Sequence, residues 1–469
     1  MSTLTMTDMF CGAGGSSTGA IAVPGIEVRT AMNHWARAIE THNTNHPDTD
    51  HVQADISQVD PRLVNHSDIL WASPECTNHS SAKGQKRVTG QGALFGDRVI
   101  DPAAERSRAT MWDVPRFAEY HDYRLIITEN VVEAGRWVMF DAWLHAMHSL
   151  GYEHHIVYLN SMHAQLGGDP APQSRDRMYV FFWKGIPRPD FELLRPMATC
   201  ATHGVVRGVK AWKNPEKRWG RYGAQYTYRC PHADCDYREV TPATRPAATV
   251  IDWNLRGTKI GERTRPLATK TLARIQAGLD RYGRRVGPLI VNHVSGSDVS
   301  RSEPAFHSPL RSIVAGGMHE SVLVPDGVDL DGLIVTLRGT APEQVAASSR
   351  PVMEPMTTVT AGGMHHALVT RHFGATHNPA HLSKPASEPL GTLTGSGNQS
   401  ITTWVESPPK IEECEFRMLE PYELTWGMAF PRDYVMTGNK REQVKQAGNA
   451  VTPPAARDLL MVGTMELVA

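Results

Sequence analysis

The chain has 469 residues, with 48 basic against 49 acidic side chains and six cysteines. That length asks for two domains, three at most; the charge balance announces no nucleic-acid partner and leaves room only for a local basic face. So few cysteines exclude a disulfide framework and fit a reducing cytoplasm; no apolar run is long enough to span a membrane, and no signal peptide is read at Met1–Asp8.

Residues 1–190 alternate strands and helices. Leu4–Phe10 reads as a strand, Gly12-Ala13-Gly14-Gly15 as a turn, and Ser16–Val23 as the start of a helix. Glu27–Met32 is strand-like and Trp35–His46 helix-like. Asp68–Ser73 is an apolar strand that stops at Pro74 and then presents Cys76. Ser81–Arg108 is polar and Gly-rich, a long loop of the kind that is usually functional or disordered. Arg124–Glu129 is a strand ending in a carboxylate, Phe140–Leu150 has helical spacing, and His155–Asn160 and Arg177–Trp183 are strands. This alternation predicts an α/β fold, a doubly wound and mostly parallel sheet with helices on both faces.

After Lys184 the pattern changes, with Pro187, Pro189 and Pro196 marking a boundary. Further on the chain repeats itself. Pro309–His319 and Pro355–His365 share a run ending Ala-Gly-Gly-Met-His, and Pro389–Gly397 is a weaker copy. Strand-like stretches at Leu289–Asn292, Leu333–Thr336 and Ala367–Thr370 lie before and between them. Three units are few for a free-standing solenoid, so a duplicated β-rich subdomain is expected at about 288–400. Phe416–Ala469 is mixed and ends in a helix-like run, Ala455–Leu467.

Several of these positions carry candidate chemistry. A thiol at the rim of an open sheet, as Cys76 would be, is a candidate nucleophile; a small buried hydrophobe is the equal alternative. The turn after Asp8 and Phe10 lets a ligand approach the backbone at Gly12, Gly14 and Gly15, although βα turns are also glycine-rich for packing alone. Its spacing departs from the dinucleotide fingerprint, and no phosphate-cradling Lys-Ser/Thr follows. Trp35 and Asp55 fall where the second and third strands should end, and could hold an adenine ring and its amine, or serve as a packing aromatic and a turn residue. Glu129 and Asn130 end a buried strand on the same rim, where they could assist a nucleophile or cap a helix. Arg175 and Arg177, two apart at a strand start, should point to one side and could bind a carbonyl oxygen or phosphate, or be surface charge paired with Asp176.

Jointly these residues resemble the cytosine-C5 DNA methyltransferases. The resemblance covers residues 4–184 and about 386–458, in the family's order. Asp8–Gly15 is similar to its first cofactor motif, and Pro74, Cys76 and Ser80 to its nucleophile motif. Glu129-Asn130-Val131 is identical to its Glu-Asn-Val tripeptide, and Gln173, Arg175 and Arg177 match Gln-x-Arg-x-Arg. Thr392-Leu393-Thr394, Arg417-Met418-Leu419 with Pro421 and Glu423, and Gln446–Val451 resemble its late motifs.

The resemblance implies a Rossmann-like, S-adenosylmethionine-dependent catalytic domain at 1–186. It implies a β-rich target-recognition region at 187–400, and a segment, 401–469, that returns to the catalytic domain. The cofactor would meet Asp8, Phe10, Gly12, Gly14, Gly15, His34, Trp35, Asp55, Ile56, Asn449 and Val451, with Phe10 and Trp35 flanking adenine. The target cytosine would leave the duplex, because its C5 and C6 are unreachable in the stack. Cys76 would attack C6, Glu129 would hold the N3 and amino edge, and Arg177, with Arg175 nearby, the O2 edge; Ser80, Asn130, Gln173 and Thr394 would contact substrate. An ordinary thiol, pKa about 8.5, is mostly protonated at neutral pH, so nearby positive charge should favour the thiolate.

The chain departs from the family at Glu75 (usually Pro), Thr77 (usually Gln), His79 (usually aromatic) and His34, where a ribose-binding carboxylate is usual. The expected partner is double-stranded DNA, with a cognate restriction endonuclease as a second one. The chain is expected to be a monomer in the cytoplasm of a bacterium or phage-infected cell. The rival readings are a tRNA cytosine-C5 methyltransferase, which the long insert argues against, and a catalytically weakened DNA-binding protein.

Two further constellations lie in the insert. Cys200-x2-His203 with Cys230-x4-Cys235 could bind structural zinc, or be three unpaired cysteines and two surface histidines. Lys210, Lys213, Lys217, Arg218, Arg221 and Arg229 interleave with Trp212, Trp219, Tyr222, Tyr226 and Tyr228. That mixture suits phosphate contact and groove entry, against the alternative of a solvated charged face.

Overall fold

The computed structural model describes residues 3–75, 110–252, 254–255, 257–282 and 410–468, together with five short strands between 289 and 369. Its main sheet takes β1 (Leu4–Met9), β2 (Ile26–Asn33), β3 (Asp50–Gln53), β4 (Ile69–Ala72), β5 (Leu125–Asn130), β6 (Glu153–Asn160) and β7 (Asp176–Trp183). The order is β3-β2-β1-β4-β5-β7-β6, and only β7 runs against its neighbours. The doubly wound, Rossmann-like sheet is therefore present, with one reversed strand near its edge.

Alternation along buried strands builds two cores, one on each face. Ile69, Trp71, Leu125, Ile127, Phe181 and Trp183 face one side; Leu70, Ala72, Ile126, Val180 and Phe182 face the other. Helices α1 (Gly15–Ile21) and α2 (Ala36–Asn45) follow β1 and β2. Helices α3 (Asp113–His121) and α4 (Phe140–Ser149) pack Val114, Phe117, Trp143 and Met147 on the second face. The first face is covered by the last helix, α8 (Pro453–Val468), through Ala455, Ala456, Leu459 and Leu460. It lies so close to α1 that a Cβ on Gly19 would stand 2.5 Å from the Pro453 carbonyl oxygen.

Between β7 and α8 the chain makes smaller sheets. A hairpin pairs β8 (Met197–Cys200) with β9 (Gly204–Arg207). A three-stranded sheet joins β10 (Val209–Trp212), β11 (Tyr226–Arg229) and β12 (Glu239–Val240). Helix α5 (Thr269–Tyr282) follows β13 (Thr258–Lys259). The strand-like stretches of the repeat region then meet in one sheet. β14 (Leu289–Asn292), β15 (Glu320–Val324), β16 (Leu333–Thr336) and β18 (His366–Val369) pair with one another and with β19 (Glu415–Met418). β17 (Ser349–Pro351) pairs with β14. Because β19 bonds to both β15 and β18, the pairing closes into a five-stranded ring, from which β13 and β17 branch. This sheet reaches beyond 288–400, since β13 and β19 belong to it. The repeated Ala-Gly-Gly-Met-His segments lie outside the described residues.

Helices α6 (Pro421–Gly427) and α7 (Lys440–Asn449) lead back to the main sheet. Each opens on a capping box, Glu420 with Glu423 and Asn439 with Glu442.

Candidate active site

Parallel β1 to β5 open their carboxyl ends on one rim. The strand order reverses between β1 and β4, which leaves the crevice where open α/β sheets bind ligands. On the β1 side Asp8 is fully buried and accepts the hydroxyls of Ser16 and Ser17, each at 2.6 Å. Burial raises its pKa to about 6 against the pull of those bonds. Asp8 therefore ties β1 to α1 from inside.

Phe10 follows with φ +60°, a left-handed conformation rare for so large a side chain and a mark of a held turn. A Cβ on Gly12 would meet nothing within 4 Å, so a ligand can approach the backbone there. Gly14 and Gly15 serve the protein's own packing. At Gly14, φ +87°, a Cβ would stand 2.6 Å from Tyr434 Oη, and at Gly15 it would overlap the Val451 carbonyl oxygen. The reading of the whole turn as open to a ligand thus narrows to Gly12.

His34 and Trp35 stand at the end of β2. Trp35 is half-buried, and Lys445 Nζ lies 4.4 Å from its ring centroid. Exposed Asp55 follows β3 and accepts the Ser57 amide at 3.2 Å, while neighbouring Ile56 is buried. His34 Nδ1 lies 3.6 Å from Glu75 Oε1, so two of the chain's departures from the family pattern face each other across the crevice.

Beyond β4 the backbone is described as far as Glu75; Cys76 and Ser80 lie outside the described residues, as does Thr394. The root of that segment is fixed. Buried Asn130 donates from Nδ2 to the Pro74 carbonyl at 3.3 Å, and its Oδ1 accepts the Val131 amide at 2.8 Å. Asn130 thus holds the backbone two residues before Cys76, with its side chain committed to the protein.

Glu129 and Arg177 form the charged pair of the rim, Nε to Oε1 at 2.8 Å. Both are mostly but not wholly buried. Arg177 Nη1 also donates to the Asp176 carbonyl at 2.9 Å. The antiparallel pairing of β5 with β7 sets Glu129 opposite Tyr179, two residues from Arg177.

Arg175 does not join that pair, although two arginines two apart should share a side. It lies just before β7 begins and is buried, and its Nη2 donates to the carbonyls of Gly448 (3.1 Å) and Ala450 (2.9 Å). It therefore clamps the end of α7, on either side of exposed Asn449 and just before Val451. Gln173 is fully buried, with Nε2 3.2 Å from Met428 Sδ, so it reaches no open surface here.

Sequence reasoning overlooked the support behind the glycine turn. His42 bonds Ser17 Oγ at 2.9 Å and His51 at 2.8 Å, His46 lies 3.1 Å from Thr18 Oγ1, and Tyr434 Oη donates to the Ala13 carbonyl. Burial pushes His42 well below the ordinary imidazole range and His46 to about 4. The signal was available in His42 and His46 recurring at i, i+4 on one helix face.

The basic and aromatic residues of the insert separate by depth. Tyr226 and Tyr228 are buried and Trp212, Trp219 and Tyr222 half-buried, so the aromatics build the core of the small sheet; Lys213, Lys217, Arg218, Arg221 and Arg229 remain exposed. This sheet leans on the rim. Trp219 Nε1 donates to the Val132 carbonyl at 2.7 Å, Arg221 pairs with Glu133, and the Tyr222 amide donates to Asp176 at 3.0 Å. Cys200, His203, Cys230 and Cys235 meet in a cluster of their own. Among the described residues no helix is long and apolar enough to cross a membrane.

Residues 4–188 match the model of a family described as C-5 cytosine-specific DNA methylase. The type II methyltransferase M.AgeI of Thalassovita gelatinovora is 28% identical over 188 residues, a match that takes in 37% of this chain and 38% of that protein. A crystal structure of a mutant Spodoptera frugiperda DNMT2 aligns over 98% of this chain and 99% of that one, at TM-score 0.50 and 12% identity, a likeness of fold alone. The seven-stranded sheet and its rim fall entirely within the span that matches the C-5 cytosine-specific DNA methylase model.

Proposed function

We propose that the chain is an S-adenosylmethionine-dependent DNA (cytosine-5-)-methyltransferase that works through Cys76. The observation that carries this reading is the Glu129–Arg177 pair, held on the rim beside Asn130, which in turn fixes Pro74 at the root of the Cys76 segment. An acid and a guanidinium presented together fit the donor and acceptor edge of one flipped pyrimidine. S-adenosylmethionine, when bound, supplies an electrophilic methyl group. The residues around the crevice fit it: open space over Gly12, an aromatic ring at Trp35, and the exposed Asp55 carboxylate.

The chain's own steps follow from placement. The Cys76 thiolate adds to C6 of cytosine, which makes C5 nucleophilic. Glu129 holds the N3 and amino edge and stabilises the protonated base, and Arg177 holds O2. After C5 is methylated it loses its proton, and the C6–S bond breaks to release Cys76. Arg175 acts at one remove, by holding residues 448–450. Residues 187–400 are proposed as the target-recognition region, whose exposed Lys213, Lys217, Arg218, Arg221 and Arg229 would meet phosphates. Residues 401–469 are proposed as the segment that returns to the catalytic domain.

Transfer of labelled methyl groups to duplex DNA and to tRNA tests this directly. We expect label on DNA, a covalent adduct on DNA containing 5-fluorocytosine, and neither with Cys76→Ala. An adduct on tRNA and none on DNA would overturn the substrate; no adduct on either would leave the DNA-binding reading. Bisulfite sequencing of DNA from expressing cells then reads the target sequence.

A further inference from the structure

The Cys/His cluster in the insert is not used by the proposed reaction. Cys200 ends β8 and His203 sits in the turn before β9, where Gly204 takes φ +66°. Cys230 follows β11, and Cys235 closes a short 3-10 turn that Asp236 and Tyr237, both at positive φ, bend back toward β12. Two hairpin turns therefore give two donors each. All three cysteines are buried, and the four donor atoms lie within 4.8 Å of one another.

The distances decide what these groups are arranged for. Cys200 Sγ is 3.9 Å from Cys235 Sγ, and His203 Nδ1 is 3.6 Å from Cys200 Sγ and 3.4 Å from Cys230 Sγ. A tetrahedron with Zn–S near 2.3 Å and Zn–N near 2.0 Å has edges of about 3.8 Å between sulfurs and about 3.5 Å between sulfur and nitrogen. A disulfide would need about 2.05 Å. The far ring nitrogen is also provided for: His203 Nε2 lies 2.9 Å from Asp234 Oδ2, the carboxylate–histidine arrangement that orients a metal-bound imidazole.

We infer that Cys200, His203, Cys230 and Cys235 bind one structural zinc ion. With four protein donors the site is closed, so the ion has no open position for chemistry. Its work is mechanical. The β8–β9 hairpin and the β10–β12 sheet meet through Gly208, which joins β9 to β10, and through a bridge from Ala198 to Pro242. The ion adds a further joint between them, in the unit whose Trp219, Arg221 and Tyr222 bond to Val132, Glu133 and Asp176.

The test needs neither substrate nor activity. The full chain, purified without chelators from zinc-replete culture, should hold about one zinc per chain by multi-element mass spectrometry. Cys230→Ser and Cys235→Ser should reduce it to background, and Cys414→Ser, a buried cysteine elsewhere, should not. Should those variants fail to fold, the wild-type chain decides: stripped by mild chelation and titrated with Co²⁺, it should show the visible bands of a tetrahedral thiolate site. Absence of any stoichiometric metal, zinc that survives both substitutions, or a Cys200–Cys235 disulfide in the purified chain would overturn the inference.

Discussion

Glu129 and Arg177 hold each other across the junction of β5 and β7, and each keeps a little exposure toward the crevice. Removing one charge there should spare the cofactor and strike the chemistry. Glu129→Gln is expected to lower single-turnover methyl transfer by roughly 100-fold or more, with S-adenosylmethionine affinity within about two-fold of wild type by calorimetry. Equal losses in both would place Glu129 in cofactor binding instead. The His34–Glu75 pair should matter little to cofactor binding. Exposed ion pairs contribute at most about 1 kcal/mol, so Glu75→Gln should change cofactor affinity by no more than about five-fold. Glu129 and Arg177 were legible because a carboxylate at the end of an apolar strand and an arginine at the start of another must reach a rim. Arg175 was not, because its partners are carbonyls more than 270 residues away in sequence.

At the scale of elements, the turn after β1 is shaped from both sides, by α1 and by the chain between α7 and α8. Gly15→Ala sets a methyl against the Val451 carbonyl, which is backbone and cannot step aside. We expect a loss of about 1–3 kcal/mol in a denaturant titration, together with weakened cofactor binding. Gly12→Ala should cost less in packing, since nothing lies within 4 Å, although its φ of +54° still disfavours a side chain. The long buried strands were readable from apolar runs, and α1, α2, α4 and α8 from their spacing. The strand β3, Asp-His-Val-Gln, was expected only by its end near Asp55, for it lies at the sheet's edge, half exposed, and carries no apolar pattern. Helix α7 also escaped its apolar signal, for it is mostly polar, yet Asn439 and Glu442 spell a capping box that reading for caps would have found.

Among the described residues, buried and half-buried histidines carry a pH dependence. His42, His46, His51, His121, His154, His155 and His163 are all held below the ordinary value, chiefly by burial, with His46 and His155 near 4 and His163 near 3. The unfolded chain protonates these near 6.5 while the folded one does not, so stability present above 6.5 is lost as pH falls. Asp8 and Asp176, raised to about 6, and Asp113 and Asp458, also raised, act in the opposite sense: folding favours their protonated forms, and acid restores stability through them. Among the described residues outside the Cys/His cluster, seven histidines against four carboxylates set the direction. Tm should fall between pH 7 and pH 5 in a calorimetric series; a flat or rising Tm would contradict it.

The close packing of Gly15 against Val451, and of Gly19 against Pro453 and Ala456, has a consequence in time. During synthesis the second wall of the glycine turn follows it by more than 400 residues. A nascent or prematurely terminated chain therefore carries every strand of the main sheet without a finished cradle at its first turn. Synthesis of the insert must therefore precede assembly of the cradle, because residues 451–456 are made after it.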